Sequence, residues 1–302
     1  MPTLAEHLNW HVKQWWHARI ARGVLDTPPL RPRDDGVVLF SMIGTRVVLP
    51  YLLAVKSFAR ALDGGRVMLL DDGSLSGADR ALLDRHLGGP EVIAIDAVDT
   101  GPCPRGGTWE RLLTILDRRT DDYVIQLDSD TLTLGPVPEV GAAIASGRSF
   151  TLRGEASAEL RPVAAFAAPV PPGAHVQDVA EGAMDRLAAS ALDGARYVRG
   201  CSGFAGFAPG RDGRALAEAF SRAGEAHMGA QSWRRWGSEQ VTSSFVIANE
   251  ADPLLLPYDR YPNYEGGSLP AEPGLVHFIG TCRFDGRAYL HATRRVIAAL
   301  RS

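Results

Sequence analysis

Tyr123-Val124-Ile125-Gln126-Leu127 is an apolar run that ends abruptly at Asp128-Ser129-Asp130. Four of its five residues are apolar or aromatic, the pattern of a buried parallel strand. On an extended chain, side chains at i and i+2 point the same way, so Asp128 and Asp130 are expected to present their carboxylates to one spot. Two like charges that close raise each other's pKa unless something positive sits between them. Hard oxygen ligands at a strand end suit Mg²⁺ or Mn²⁺, which bind through a few carboxylates and the phosphates of a substrate. In open α/β sheets the ligand crevice lies beyond the carboxyl ends of the strands, where this pair falls. The expectation is a metal site for a diphosphate, although D-x-D also arises in ordinary solvated loops.

The elements that must position this pair follow from periodicity. Val37 to Met42 reads as a first strand ending at Gly44, followed by an apolar-periodic helix from Leu49 to Leu62. Val67 to Leu70 is a second strand, closing on Asp71-Asp72-Gly73-Ser74. The next helix runs from Gly77 to Leu87, with Ser76 as its N-cap and Gly88-Gly89 as its stop. Glu91 to Ile95 is a third strand, and a helix over 108–118 leads to the strand at 123. This alternation predicts an α/β fold with a mostly parallel central sheet and right-handed crossovers.

Beyond the aspartates the order loosens. Residues 157–177, rich in alanine and proline, predict a long loop, and such loops tend to be lids or binding segments. A helix over 178–192 follows. The strand from Tyr197 to Phe207 is interrupted by Gly200, Gly203 and Gly206, and glycines inside strands often mark close approach of a ligand or another backbone. Next come a helix over 212–223, the aromatic and charged run Gln231 to Gln240, an apolar helix from Val241 to Ala248, and the tyrosine-rich Tyr258 to Tyr264. Leu275 to Phe284 contains His277 and Arg283.

At the N-terminus, Leu4, Leu8, Val12, Trp15, Trp16 and Ile20 form an approximately helical apolar stripe. Packing on its own domain is favoured over docking on a membrane surface, because the reliably basic residues there are only Lys13, Arg19 and Arg22. A proline-rich connector, Asp26 to Gly36, leads into the main domain. The expected division is a helical extension with connector over 1–33 and a single domain over 34–302.

The 302 residues are 45% hydrophobic, enough for one large α/β core. A net charge of −3 without a basic stripe argues against a nucleic-acid partner. No apolar run is long enough to span a bilayer and no signal-peptide order opens the chain, so the cytosol is the default, with peripheral membrane association the variant. Cys103, Cys201 and Cys282 are widely spaced and odd in number, which suggests free thiols.

Together these pieces resemble the glycosyltransferases with the GT-A fold, most closely family 8, the type that includes glycogenin and bacterial galactosyltransferases. Two motifs carry the likeness. Asp128-Ser129-Asp130 resembles the family's D-x-D, whose aspartates hold manganese bound to a nucleotide-diphosphate sugar. His277-Phe278-Ile279-Gly280-Thr281-Cys282-Arg283 resembles H-[FY]-x-G-x-x-K, in which the histidine is the third protein ligand and the lysine holds the diphosphate. Arg283 stands in place of that lysine, keeping the charge and adding a fork of donors suited to phosphate.

Lesser similarities extend the implication. Arg111, in Trp109-Glu110-Arg111-Leu112-Leu113, stands where the family has an arginine touching the nucleotide. Asp72 lies in a segment similar to the D-D-G-S of family 2, whose aspartate contacts the base. Glu239, in Gly237-Ser238-Glu239-Gln240, replaces the aspartate of a D-Q segment beside the reacting sugar, and Cys201-Ser202-Gly203 replaces N-[ST]-G. Met42, Gly44, Ser129 and Gly280 complete the implied nucleotide-sugar contacts. The resemblance implies a hexosyltransferase using Mn²⁺ or Mg²⁺, with a UDP-sugar favoured as donor. Its acceptor is unassigned among glycans, lipid-linked and small molecules. Retention of configuration is favoured, and the glutamate at 239 leaves inversion open.

Duller readings stand beside these. His277 could be a core histidine, Glu239 a carboxylate at a helix start, Arg111 a solvated helix residue, and Tyr258, Tyr261 and Tyr264 plain packing rather than an acceptor platform. An apolar strand into D-x-D-T-L also resembles haloacid-dehalogenase phosphatases, with Asp128 as nucleophile and Asp130 as acid/base. That chemistry needs a downstream lysine, and none follows Lys56. A sugar-nucleotide-binding protein without turnover is the remaining alternative.

Overall fold

In a computed structural model, which describes residues 4–171, 173–189, 191–280 and 282–302, the apolar runs become strands and helices close to their expected bounds. The chain is α/β, with a mixed, mostly parallel central sheet and flanking helices. It divides into two compact units, one of Met1–Ile93, Leu127–Gly141 and Pro257–Ser302, the other of Ala94–Gln126 and Ala142–Leu256. Elements are numbered along the chain.

In the first unit β1 (Val37–Ile43) and β2 (Arg66–Asp71) pair in parallel, with Leu39 beside Val67 and Ile43 beside Asp71. Between them α2 (Val48–Leu62) buries Tyr51, Leu52, Val55 and Phe58 completely. Each such side chain is worth roughly 1.5–3 kcal/mol of burial, which anchors the loop between β1 and α2. After β2 comes α3 (Gly77–Leu87), where Ser76 and Asp79 form a reciprocal capping box and Gly88 ends the helix in the left-handed conformation, as its sequence predicts. β3 (Glu91–Ala94) follows. The same unit holds β5 (Thr131–Thr133), which pairs antiparallel with β11 (Leu275–His277).

α1 (Leu4–Ala21) packs against α2 and the C-terminal α11 (Ala288–Arg301) within this unit. The packed face differs from the expected stripe. His17 is buried, stacked on Tyr289 with ring centroids 4.1 Å apart and bonded to Thr293 at 3.1 Å, and Trp10 meets Phe284 edge-on. Val12, Trp15 and Trp16 face solvent instead, because the partners on α11 suit a histidine. The Leu4 and Leu8 side chains lie outside those described.

In the second unit α4 (Trp109–Arg118) precedes β4 (Tyr123–Leu127), whose last residue opens the next segment of the first unit. α5 (Pro138–Ala145) leads back, and β6 (Phe150–Arg153) pairs antiparallel with β9 (Gly200–Phe207) and parallel with β10 (Leu254–Leu255). The glycines of β9 answer to packing: a Cβ at Gly206 would strike the Phe150 ring, and one at Gly200 would strike Ser244 and Thr151. No ligand approach is needed to explain those two. The expected loop of 157–177 contains β7 (Arg161–Pro162), paired with β8 (Arg196–Tyr197). The single helix expected over 178–192 is two, α6 (Val176–Gly182) and α7 (Met184–Ala189), divided at Ala183, which leaves helical geometry with φ of −114°; the glycine at 182 leaves room for Val170 and the Ala168 carbonyl. α8 (Gly213–Met228), α9 (Ala230–Trp233) and α10 (Ser238–Ala248) complete the unit.

Candidate active site

β4 ends at Leu127 and the chain turns at once. Thr131 donates both its amide, at 3.1 Å, and its hydroxyl, at 2.8 Å, to the Asp128 carbonyl. The two aspartates therefore sit in a turn, and this corrects the strand-alternation argument: a folded-back backbone, not an i/i+2 strand face, gathers them. Ser41 Oγ braces the start of that turn by donating to the Leu127 carbonyl at 2.7 Å. β5 then runs antiparallel to β11, which sets His277 opposite Thr131, and the Phe278 amide donates to the Asp130 carbonyl at 2.8 Å. Ligand atoms of Asp128, Asp130 and His277 all lie within 4.8 Å of one another.

The histidine is oriented for this role. Its Nδ1 meets Asn263 Oδ1 at 2.9 Å, which places the ring proton on Nδ1 and leaves the Nε2 lone pair facing the acids. His277 Nε2 is 3.4 Å from Asp130 Oδ1. Asp130 is 8% exposed, and its Oδ1 makes no hydrogen bond among the described residues. A buried carboxylate oxygen without a donor is costly unless a cation takes it, so the donor set fits a divalent ion. Oδ2 accepts from Arg283 Nη2 at 3.0 Å. Burial opposes the charge of Asp130, yet a protonated His277 and the Arg283 guanidinium outweigh it and hold the carboxyl below the usual range; with His277 neutral, as a metal ligand must be, a cation would take over its part. A Cβ at Gly280 would come within 3.1 Å of Arg283 Nη2, so the glycine leaves room for the guanidinium. Thr281 lies outside the described residues.

Of the other expected contacts in this unit, Gly44 and Asp72 meet. A side chain at 44 would strike the Asp72 carboxylate and Ser74 Oγ, and Asp72 Oδ1 accepts from the Ser74 amide at 2.9 Å and hydroxyl at 2.6 Å. Asp72 stays exposed, whereas its neighbour Asp71 is buried, accepting from the Gly73 and Leu75 amides and paired with Arg80. Met42 and Ser129 are half-buried.

Arg111 and Glu239 form a separate cluster in the second unit. Glu239 is 1% exposed in the first turn of α10. Its Oε2 accepts from Arg111 Nη2 and Thr108 Oγ1, both at 2.9 Å, and its Oε1 has no hydrogen bond among the described residues. Arg111 also donates to Ser202 Oγ at 3.0 Å, so this arginine is neither solvated nor free of protein partners. Gln240 accepts from the Ser202 amide at 3.3 Å and donates to Gln177 at 3.0 Å, and Gln177 donates to Glu181, also at 3.0 Å. The charges of Arg111 and Glu181 at the two ends of this chain fix the direction of both carboxamides. Sequence reasoning missed Asn263, Gln177 and Thr108. Asn263 sits among more conspicuous tyrosines, and only its bridge to His277 reveals it. Thr108 has φ of 73°, a left-handed conformation rare outside glycine, and nothing in its type announces it.

No protein-family model and no curated protein matches the chain. Solved structures do. The chain is similar to the galactosyltransferase LgtC in complex with donor and acceptor sugar analogues, with a TM-score of 0.54 at 13% identity, over 88% of this chain and 96% of that one. The fold is that of the GT-A glycosyltransferases. A second GT-A match is the bifunctional glycosyltransferase WbbM, at 0.52 and 15% over 83% of this chain, which spans only 47% of WbbM. A third is GlyE of Streptococcus pneumoniae, at 0.51 and 13%, over 89% of this chain and 62% of GlyE. On this scaffold the two aspartates lie in the turn after β4 and His277 ends β11, a group that could hold a metal ion.

Proposed function

We propose that this chain is a metal-dependent glycosyltransferase that moves a sugar from a nucleotide-diphosphate donor, a UDP-sugar in the first instance, to an acceptor hydroxyl with retention of configuration. The supporting observation is the convergence of Asp128, Asp130 and His277 around a buried, undonated carboxylate oxygen. These residues would hold Mn²⁺ or Mg²⁺, which when bound neutralises charge on the departing diphosphate. Asn263 keeps His277 in the ligating tautomer. Arg283, anchored on Asp130, supplies charge-assisted hydrogen bonds to phosphate as negative charge develops there. Met42, Gly44, Asp72, Ser129 and Gly280 place the nucleotide. Glu239 serves the reacting sugar through Oε1, and Arg111 with Thr108 holds its other oxygen.

The phosphatase alternative needs a lysine beside the aspartates. Both lysines are engaged elsewhere, Lys56 with Thr27 and His86, and Lys13 with the Phe284 carbonyl. The direct test is release or transfer of sugar from a panel of nucleotide sugars with Mn²⁺. Asp130→Ala is expected to lower the rate by at least about a hundredfold, about 2.7 kcal/mol of transition-state stabilisation. A wild-type rate in that variant overturns the assignment, binding without turnover selects the inactive-binder alternative, and product anomericity by NMR decides retention.

A further inference from the structure

Among the described residues five large hydrophobic side chains are exposed, and three of them, Val12, Trp15 and Trp16, lie on α1 at 46%, 57% and 48% exposure. The helix has two faces. Lys13, His17 and Ala21, four residues apart, turn inward: Lys13 Nζ donates to the Phe284 carbonyl at 2.9 Å, His17 stacks on Tyr289, and Ala21 is fully buried. Val12, Trp15, Arg19 and, just past the helix end, Arg22 recur at spacings of three and four on the opposite side, all exposed, with Trp16 at their flank. Packing of α1 on its own unit accounts for the first face only. The inward face is polar because protein partners satisfy Lys13 and His17, and the apolar rings are left outside.

The outward face has a definite chemistry. Trp15 and Trp16 meet edge-on with ring centroids 5.1 Å apart, and the Arg19 guanidinium lies over the Trp15 ring at 5.9 Å. Neither Arg19 nor Arg22 forms an ion pair or hydrogen bond among the described residues. Residues 7–25 contain no acid, and neither does α11, on which the helix packs. Indole with guanidinium suits the level of lipid headgroups, where the ring sets its apolar body against the acyl chains and the cation meets phosphate. A second copy of the same face would set arginine against arginine, so charge favours an anionic partner over self-association. No described helix is long and apolar enough to cross a membrane, which leaves an orientation along the surface. We propose that α1 docks the protein on an anionic lipid bilayer, with Val12, Trp15 and Trp16 at the acyl boundary and Arg19 and Arg22 on lipid phosphates. This docking is independent of the transfer reaction proposed above.

The test is sedimentation of the full chain with vesicles of phosphatidylcholine alone and of phosphatidylcholine with phosphatidylglycerol in equal parts. Quenching of tryptophan emission by bromine-labelled acyl chains is read alongside. Wild-type protein is expected to bind the anionic vesicles at least about tenfold more tightly than the neutral ones. Trp15→Ser with Trp16→Ser should weaken binding at least about tenfold and abolish the quenching. Arg19→Gln with Arg22→Gln should weaken binding to anionic vesicles by about 30-fold, roughly fivefold for each cation. Trp236→Ser, which removes an exposed indole of the second unit, should bind as wild type does. All these side chains are exposed, so thermal melts followed by circular dichroism should coincide. Wild-type protein that stays in the supernatant, or binding that either pair of substitutions leaves unchanged, overturns the proposal. So does a dimer in the absence of lipid that the tryptophan pair dissolves, because the face would then belong to a second copy.

Discussion

Asn263 shows how a residue with no chemistry of its own sets the chemistry of a neighbour. By accepting from His277 Nδ1 it fixes the tautomer in which Nε2 can ligate, and loss of such a partner typically costs 10–100-fold in metal affinity. Asn263→Ala is therefore expected to weaken Mn²⁺ binding by about 10–100-fold in titrations while leaving the fold intact by circular dichroism. The buried Arg111–Glu239 pair carries a different expectation. Arg111→Met strands a buried carboxylate and should cost about 3–5 kcal/mol in urea unfolding, whereas the double change Arg111→Met with Glu239→Leu should cost less than the single one. A double variant as unstable as the sum of its parts would show that the pair is not the reason. At this scale the sequence points to the groups that could ligate, because carboxylates and imidazole at familiar spacings are conspicuous. It hides those that orient them, because Asn263, Thr108 and Gln177 acquire meaning only from tertiary neighbours.

Elements with strict local signals are legible in the residues themselves. β1, α2, β2 and β4 follow from apolar runs, and the bounds of α3 follow from Ser76 and Gly88, whose capping is local chemistry. Elements whose definition is tertiary are not. The Asp128–Asp130 turn has the side-chain pattern of a strand, and the aromatic residues of α1 point to the wrong buried face, because their size outweighs in the pattern the partners waiting on α11. The true face has a measurable consequence. His17 is 4% exposed, and burial, helped by the nearby Arg283 charge, pulls its pKa down to about 4. Above the unfolded value, near 6.5, both states are neutral and nothing is lost. As pH falls from about 6.5 to about 4, the unfolded chain takes up a proton that the folded chain refuses. Stability should drop by roughly 1.4 kcal/mol per unit, to a total of about 3 kcal/mol, and then level off. His17→Phe keeps a ring against Tyr289 and has no proton to take up, so its melting temperature should lack this acid-dependent fall. An identical pH profile in wild type and variant would place the acid sensitivity elsewhere.

For the whole molecule, the α/β alternation announces the fold class, but nothing in the sequence announces two compact units. The proline-rich stretch with the composition of a boundary is stitched into the first unit, with the Leu30 amide on the His86 carbonyl at 2.9 Å and the Arg33 amide on the Gly65 carbonyl at 3.0 Å. Three of the four passages between units fall inside regular elements, β3, β4 and α5, where no linker composition can mark the change, and the fourth falls between Leu256 and Pro257. Asp128, Asp130, His277 and Arg283 all belong to the first unit. Ligation of that unit is therefore the natural global readout. Three candidate protein ligands would leave coordination positions that a diphosphate can fill, so metal and nucleotide should each bind weakly alone and strongly together. At about 100 times its dissociation constant, a ligand of the folded state adds about 2.7 kcal/mol. For a unit of about 150 residues that corresponds to a rise in melting temperature of roughly 5–10 °C. Scanning calorimetry should show that rise with Mn²⁺ and a nucleoside diphosphate together, little with either alone, and none in Asp130→Ala. The same rise with nucleotide alone, or in that variant, would mean that the stabilising contacts bypass the acids, and the metal would lose its place in binding.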